Sequence, residues 1–408
     1  MLRSTPAPRL SDRSGRWNVA RRRVRVAVNG YGVIGKRVAD AVALQEDMEL
    51  VGIADVARDY RVRVAAERGF PIYAAIPHMR FSMEEAGLPV AGTLDDLLRA
   101  ADVVVDCTPM GIGSSNKERY DRAGIKAIWQ GGEKHQLTGL SFVAQINYTL
   151  ALNQRYARVV SCNTTGLCRV VWALHRRGWV KRVRAVLMRR GTDPWESHQS
   201  GMINTAIPEM RVPSHQGPDA QTVVPGLDIT TLAGAGPYDL SHLHFAMVET
   251  TRQVSLDELR QALWEEPRIA FVHGSDGLVA LNSVIELMRD LRRPRNDMWE
   301  VAVWEDALAS DGRELYIIYQ VHSEAVAIPE NVDCIRALSG IETDPARSIE
   351  RTDRSLGITK SFLPATLREE KAATLAEALH AMRGRFMEEG FKGSEEPTEP
   401  ELGTDRQG

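Results

Sequence analysis

A cysteine reacts as its thiolate, and the segment Val159-Val160-Ser161-Cys162-Asn163-Thr164-Thr165-Gly166-Leu167-Cys168-Arg169 places one where ionisation is helped. Two β-branched residues end a strand, Ser161 to Thr165 is a run of helix-start residues, and Leu167, Val170, Val171 and Leu174 follow at helical spacing. Cys162 thus falls where a strand gives way to a helix, whose free N–H groups and positive dipole end lower a thiol pKa. A lone cysteine in a cap is more often a packing residue; its polar neighbours argue for a nucleophile instead. Such a thiol needs a base, and Ser241-His242-Leu243-His244-Phe245 offers two histidines on one face of an extended segment. One of them facing Cys162 completes a nucleophile–base pair, and the other is then packed or solvent-facing. His-x-His is also a metal-ligand spacing, but no carboxylate or cysteine stands out as a third ligand, so no metal is expected. Arg169, Arg189, Arg190 and His215 are the candidates to hold an anionic substrate group.

A second constellation binds rather than reacts. Val24 to Val28 is a β-rich run leading into Asn29-Gly30-Tyr31-Gly32-Val33-Ile34-Gly35, and Lys36 to Leu44 continues with helical spacing. Between strand and helix the three glycines have separate tasks: Gly30 for the tight turn, Gly32 for backbone approach to a pyrophosphate, Gly35 for helix packing on strand. A second strand, Glu49 to Ala54, ends at Asp55, where a carboxylate accepts from a ribose 2′-OH and repels a 2′-phosphate. That favours NAD; Arg58 and Arg61 close by leave NADP possible. The strands Val103 to Cys107 and Lys126 to Trp129 run into Thr108–Gly113 and Gln130–His135, turns that border a cofactor in an open parallel sheet. Cys107 reads as a packed strand end.

The elements that must position these groups divide the chain in two. At 408 residues it has room for two cores, and 43% hydrophobic with 26% charged residues is ordinary for a globular protein. The first half alternates strands with helices, including Thr93 to Ala101. The second has strands at 182–191, 227–232, 244–250 and 315–321, and helices at 255–265 and 282–291, the pattern of a mixed sheet with one open face. The expected fold is α/β: a Rossmann dinucleotide-binding domain (24–160) and an α+β catalytic domain (161–328) with a mixed, largely antiparallel sheet. Residues 1–23, rich in Arg, Ser and Pro, read as a disordered extension. Residues 363–408 read as a helix (Ala365 to Gly390) and a disordered acidic tail. A net charge of −3 gives no case for nucleic acid, and no apolar run spans a membrane. Four scattered cysteines fit a reducing cytoplasm.

From about Val24 to Ile358 the chain resembles the type II, archaeal-type, phosphorylating glyceraldehyde-3-phosphate dehydrogenases. The segments that carry the likeness are the glycine turn through Asp40, Gln130-Gly131-Gly132-Glu133-Lys134, the Cys162 segment, Arg295-Asn296-Asp297 and Val326 to Asp333. The resemblance implies Cys162 as nucleophile and His242 as its base. It puts cofactor contacts at Val33, Ile34, Gly132 and Arg190, and substrate contacts at Ser161, Asn163, Thr164, His215 and Gln216. It further implies a helix at 329–362 returning to the nucleotide domain, a homotetramer, and a phosphorylated aldehyde and inorganic phosphate as substrates. Oxidation would pass through a hemithioacetal and an acyl thioester. Departures from the family pattern are Gln216 in place of a histidine, Tyr238 and Asp239 ahead of the catalytic histidine, and Ser323 in place of a glutamine. They leave two other readings: the same chemistry on another aldehyde or acyl phosphate, or a dinucleotide-binding sensor without activity.

Overall fold

The computed structural model describes residues 22–194 and 204–363. Most of the N-terminal extension, and the expected helix 365–390 with its acidic tail, lie outside the described residues.

Strands buried on both faces need apolar side chains throughout, and the first half supplies them. Val26, Ala27 and Val28, and Val103 to Val105, have no exposed surface. They sit in β1 (Val24–Asn29) and β5 (Val103–Asp106), the centre of an eight-stranded parallel sheet. On one side follow β2 (Met48–Asp55), β3 (Ile72–Ala74) and β4 (Val90–Thr93); on the other β6 (Lys126–Gly131), β8 (Tyr156–Val160) and β7 (Ser141–Phe142). Strand order reverses between β1 and β5, so the crevice that receives a ligand opens beyond their carboxyl ends.

The second sheet runs β10 (Ile207–Pro208), β11 (Ile229–Gly236), β9 (Val180–Arg190), β12 (His242–Thr250), β16 (Glu314–Val321), β14 (Val301–Trp304), β13 (Ile269–Val272), with β15 (Ala309–Ser310) also on β16. Only β9–β11 and β13–β14 pair in parallel, so the sheet is mixed and largely antiparallel. Period-2 alternation is strict in β12, where His242, His244, Ala246 and Val248 are buried and Leu243, Phe245 and Met247 only half so. The buried face packs on the helix Cys162–His175 through Leu167, Val171, Leu187 and Val321.

The single helix expected over 329–362 is corrected to two. Gly340, at φ +67, ends Ile328–Ser339, and Asp344 with Pro345 at the first turn starts Pro345–Leu356. Ile328, Val332, Ile335 and Leu338 of the first helix lie in the core of the parallel sheet.

Candidate active site

The strand-to-helix junction at Cys162 is built by its cap. Ser161 Oγ accepts the Thr164 N–H at 3.3 Å, which starts the helix at Cys162 and leaves the thiol on the first turn. Cys162 Sγ is half-buried on the floor of a cleft of about 730 Å³. Ile34, Cys107 and Gly132 line that cleft from the parallel-sheet side, and Ser161, Arg190 and His215 from the other.

The sulfur lies 3.4 Å from His242 Nε2 and 3.7 Å from Asn163 Nδ2. His242 in turn accepts the backbone N–H of Arg190 on Nδ1 at 3.0 Å. Burial holds its pKa well below the ordinary histidine value, with His244, Arg190, Arg189 and His322 adding to the effect, so the ring is neutral. With Nδ1 accepting, the neutral ring carries its proton on Nε2, facing the sulfur.

The expectation of a lowered thiol pKa is corrected. Burial pushes the Cys162 thiol up, and Arg190 with the N–H groups of Asn163 and Cys162 recovers only part of that. Desolvation at the cleft floor outweighs the helix terminus.

The glycine turn fits a dinucleotide. Gly30 has φ +90, a Cβ on Gly32 would meet nothing within 4 Å, and one on Gly35 would stand 1.8 Å from Gly30 O. The helix Val33–Ala43 has neither a side-chain cap nor an acidic residue in its first turn, so its N–H groups are available to a pyrophosphate. Asp55 takes the Tyr31 N–H at 2.6 Å and the Val56 and Ala57 N–H groups at 2.7 Å, tying the end of β2 to the turn.

Other candidates are placed differently. Gln216 and Thr164 have no exposed surface, and the Gln216 amide has no hydrogen-bond partner among the described residues. Arg169 is buried, bonded to Trp299 O, Val326 O and Glu330. Arg189 faces Glu209 at 3.2 Å on the far side of His215. Tyr238 donates to Met188 O at 3.0 Å, and neither it nor Asp239 borders the cleft. Ser323 does border it, with an unpartnered buried hydroxyl among the described residues. Among the described residues no group of His, Cys, Asp and Glu could hold a metal.

Sequence reasoning missed what stands behind the site. Arg37, on the helix after the glycine turn, reaches Glu324 at 2.5 Å, and Glu324 reaches Arg190 at 3.0 Å. Arg37 also holds Asp297 at 2.8 Å, whose carboxyl burial pushes up to about 6. These partners are hundreds of residues apart, so no local pattern announces them. Arg37, Asp297 and Arg190 lie in segments or positions that the resemblance names; Glu324 lies in none of them.

A switch-point cleft joined to a cysteine–histidine pair is the arrangement that a nucleotide-dependent dehydrogenase with a thiol nucleophile needs. Comparison with known proteins gives the same class a narrower address. Residues 161–307 match the family model "Glyceraldehyde 3-phosphate dehydrogenase, C-terminal domain". The glyceraldehyde-3-phosphate dehydrogenase of Methanobacterium bryantii is 48% identical over 335 residues, which is 82% of this chain and 99% of that protein. Glyceraldehyde-3-phosphate dehydrogenase 2 of Methanosarcina acetivorans is 45% identical over 337 residues, again 82% and 99%. The chain belongs to the glyceraldehyde-3-phosphate dehydrogenase family. It is accordingly an oxidoreductase that acts on an aldehyde and uses a nicotinamide dinucleotide.

Proposed function

We propose that the chain oxidises glyceraldehyde 3-phosphate and captures the acyl group on inorganic phosphate, with Cys162 as nucleophile. The observation that carries this is the sulfur on the first turn of a helix, 3.4 Å from His242 Nε2, in a cleft shared with Ile34 of the glycine turn.

Cys162 attacks the aldehyde carbon as the thiolate, its proton having passed to solvent. The negative charge moves to the carbonyl oxygen of the hemithioacetal. His242, protonated on Nε2 in this arrangement, donates to the sulfur before the attack and to that oxygen after it. To act as the base read from the sequence the ring would need its other tautomer, with Nδ1–H against the Arg190 N–H; as a donor it needs no change. A nicotinamide dinucleotide held at the glycine turn of Gly30, Gly32 and Gly35 would supply the acceptor for the hydride that leaves the hemithioacetal carbon. Collapse of the oxyanion leaves an acyl thioester on Cys162; phosphate attacks its carbon and the thiolate leaves. The thioester preserves the free energy of aldehyde oxidation in the acyl phosphate. Ser161, His215 and the Arg190 guanidinium border the space left for the substrate.

Formation of NADH from glyceraldehyde 3-phosphate, with and without phosphate, tests the reading in wild type and Cys162→Ser. Phosphate-dependent turnover that the substitution abolishes is expected. Turnover confined to another aldehyde would replace the substrate, and NAD binding without any turnover would replace the enzyme with a sensor.

NAD is the preferred cofactor on this reading. The Asp55 carboxylate stands at the end of β2, and Arg61 is engaged by Asp59, leaving it poorly placed to offset Asp55 for a 2′-phosphate. A kcat/KM higher with NADP than with NAD would reject this. Self-association to a homotetramer is supported by the open face of the second sheet. There Val186, Leu243, Phe245 and Ile318 are half-buried, and Leu232 and Tyr316 are 46% and 37% exposed. Four free cysteines suit a reducing compartment such as the cytoplasm. Among the described residues no helix is long and apolar enough to cross a membrane.

A further inference from the structure

Both histidines of β12 face the helix that carries Cys162, but only His242 touches the sulfur. His244 has no exposed surface; its ring stacks beside that of His242, centroids 6.2 Å apart and planes 10° from parallel, and meets Tyr319 edge-on at 5.0 Å. His244 Nε2 lies 2.9 Å from Asn163 Oδ1. A carbonyl oxygen only accepts, so Nε2 carries the ring proton and donates. Nδ1 is then bare, and it has no partner among the described residues. Burial keeps the ring neutral down to about pH 3. The contact also orients the Asn163 amide, whose Nδ2 donates to Cys162 Sγ at 3.7 Å. Turned over, the amide would require the other His244 tautomer, with a buried Nδ1–H that has no acceptor among the described residues.

We propose that His244 is a positioning residue for Cys162: by donating to Asn163 Oδ1 it holds the Asn163 NH2 toward the sulfur, and so favours the thiolate. This rests on Cys162 being the nucleophile. The sulfur then meets donors on two sides, and each donor is fixed from behind, His242 by the Arg190 N–H and Asn163 by His244. Charges facing the thiol from β9 and the turn after it are Arg190, which favours the thiolate, and Asp193, which opposes it. Across the cleft stand His215, Lys134 and Glu133, with the Arg158–Asp219 pair and Cys107. None of these contacts Asn163 or His244 through a hydrogen bond in the structure, so their influence is the same whichever residue occupies position 244.

The test is the pH profile of Cys162 alkylation by iodoacetamide, read by peptide mass spectrometry on the full-length protein. His244→Phe keeps a ring and removes the donor. Its midpoint is expected to rise by about one pH unit, slowing alkylation near neutrality about tenfold. Asn163→Ala should raise the midpoint by the same amount, and the double variant by no more than either. His244→Gln, which restores an N–H, should recover most of the shift. Should His244→Phe fail to fold, His244→Gln against His244→Met gives the same contrast between a donor and none. An unmoved midpoint in the donorless variant, whatever its melting temperature, overturns the proposal, and so does a shift that adds independently to that of Asn163→Ala. Turnover is scored separately: activity surviving in Cys162→Ser sinks the nucleophile reading, while the alkylation profile still reports on the His244 contact.

Discussion

Four cysteines share one chain, and among the described residues only Cys162 has donors aimed at its sulfur. Cys168 and Cys334 are buried, and burial pushes the thiols of Cys107, Cys168 and Cys334 far up. Cys162 is therefore expected to be alkylated first by a wide margin; comparable labelling of all four would remove the basis for its role. The buried histidines make a second prediction. His244 and His322 both have their pKa lowered to about 3, so between about pH 6.5 and 4 the unfolded chain binds protons the folded one refuses. Stability is lost as pH falls through that window, by up to about 1.4 kcal/mol per pH unit for each ring. Asp297, raised to about 6, and Glu266, raised to about 7, act in the opposite sense, so the comparison must be differential. Whatever its stability at pH 7.5, His244→Phe should lose less melting temperature than wild type on acidification to pH 4.5. Parallel pH curves for the two proteins would show that His244 is not held neutral.

At the scale of elements, the catalytic geometry depends on how closely the helix Cys162–His175 lies on β16. Gly166 sets that distance, since a Cβ there would stand 2.4 Å from Val321 Cγ2. Gly166→Ala should cost about 1–3 kcal/mol by overpacking and lower kcat by moving Cys162 relative to His242; Val321→Ala in the same chain should restore part of both. A Gly166→Ala protein with unchanged melting temperature and kcat would mean the helix is not held at contact distance. Much of this level was legible beforehand. The helices expected at 255–265 and 282–291 are Leu256–Glu265 and Leu281–Asp290, because capping residues and 3.6-residue periodicity are local signals. The strand expected from His244 begins at His242 instead, so the pair of histidines lies wholly within it. A break at Gly340 is equally available in the sequence, since a glycine after a helical run is a local stop signal, although the resemblance implies one helix there.

For the whole molecule, the link between its halves runs through charge. Arg37 after the glycine turn, Glu324 after β16 and Arg190 at the end of β9 form one buried chain that ends at the backbone N–H holding His242. Glu324→Gln removes the carboxylate that two guanidinium groups share; Arg37 keeps Asp297 and Arg190 keeps Asp193, so a loss of about 1–3 kcal/mol is expected, measurable by denaturant unfolding. Weaker dinucleotide binding should accompany it, because the helix after the glycine turn, whose uncapped N-terminus suits a pyrophosphate, loses an anchor. An unchanged unfolding midpoint would show the bridge to be dispensable. The open sheet face gives the corresponding test of assembly. Tyr316→Lys should lower the solution mass below that of a tetramer in light scattering, and a mass unaffected by that charge would move the interface elsewhere.

Local pattern settled the parts of this protein whose physics is local. A glycine turn between strand and helix, a helix start at Cys162 and a period-2 strand with two histidines each follow from a few adjacent residues, and together they suffice to read a Rossmann domain and a thiol chemistry. Tertiary structure alone decided which atoms meet. It buried Thr164 and Gln216, raised the Cys162 thiol by desolvation, set the Arg190 N–H on His242 Nδ1, and put His244 behind Asn163. Each of those outcomes is a matter of desolvation or of one hydrogen bond between distant segments, and neither quantity exists until the chain has closed around the site.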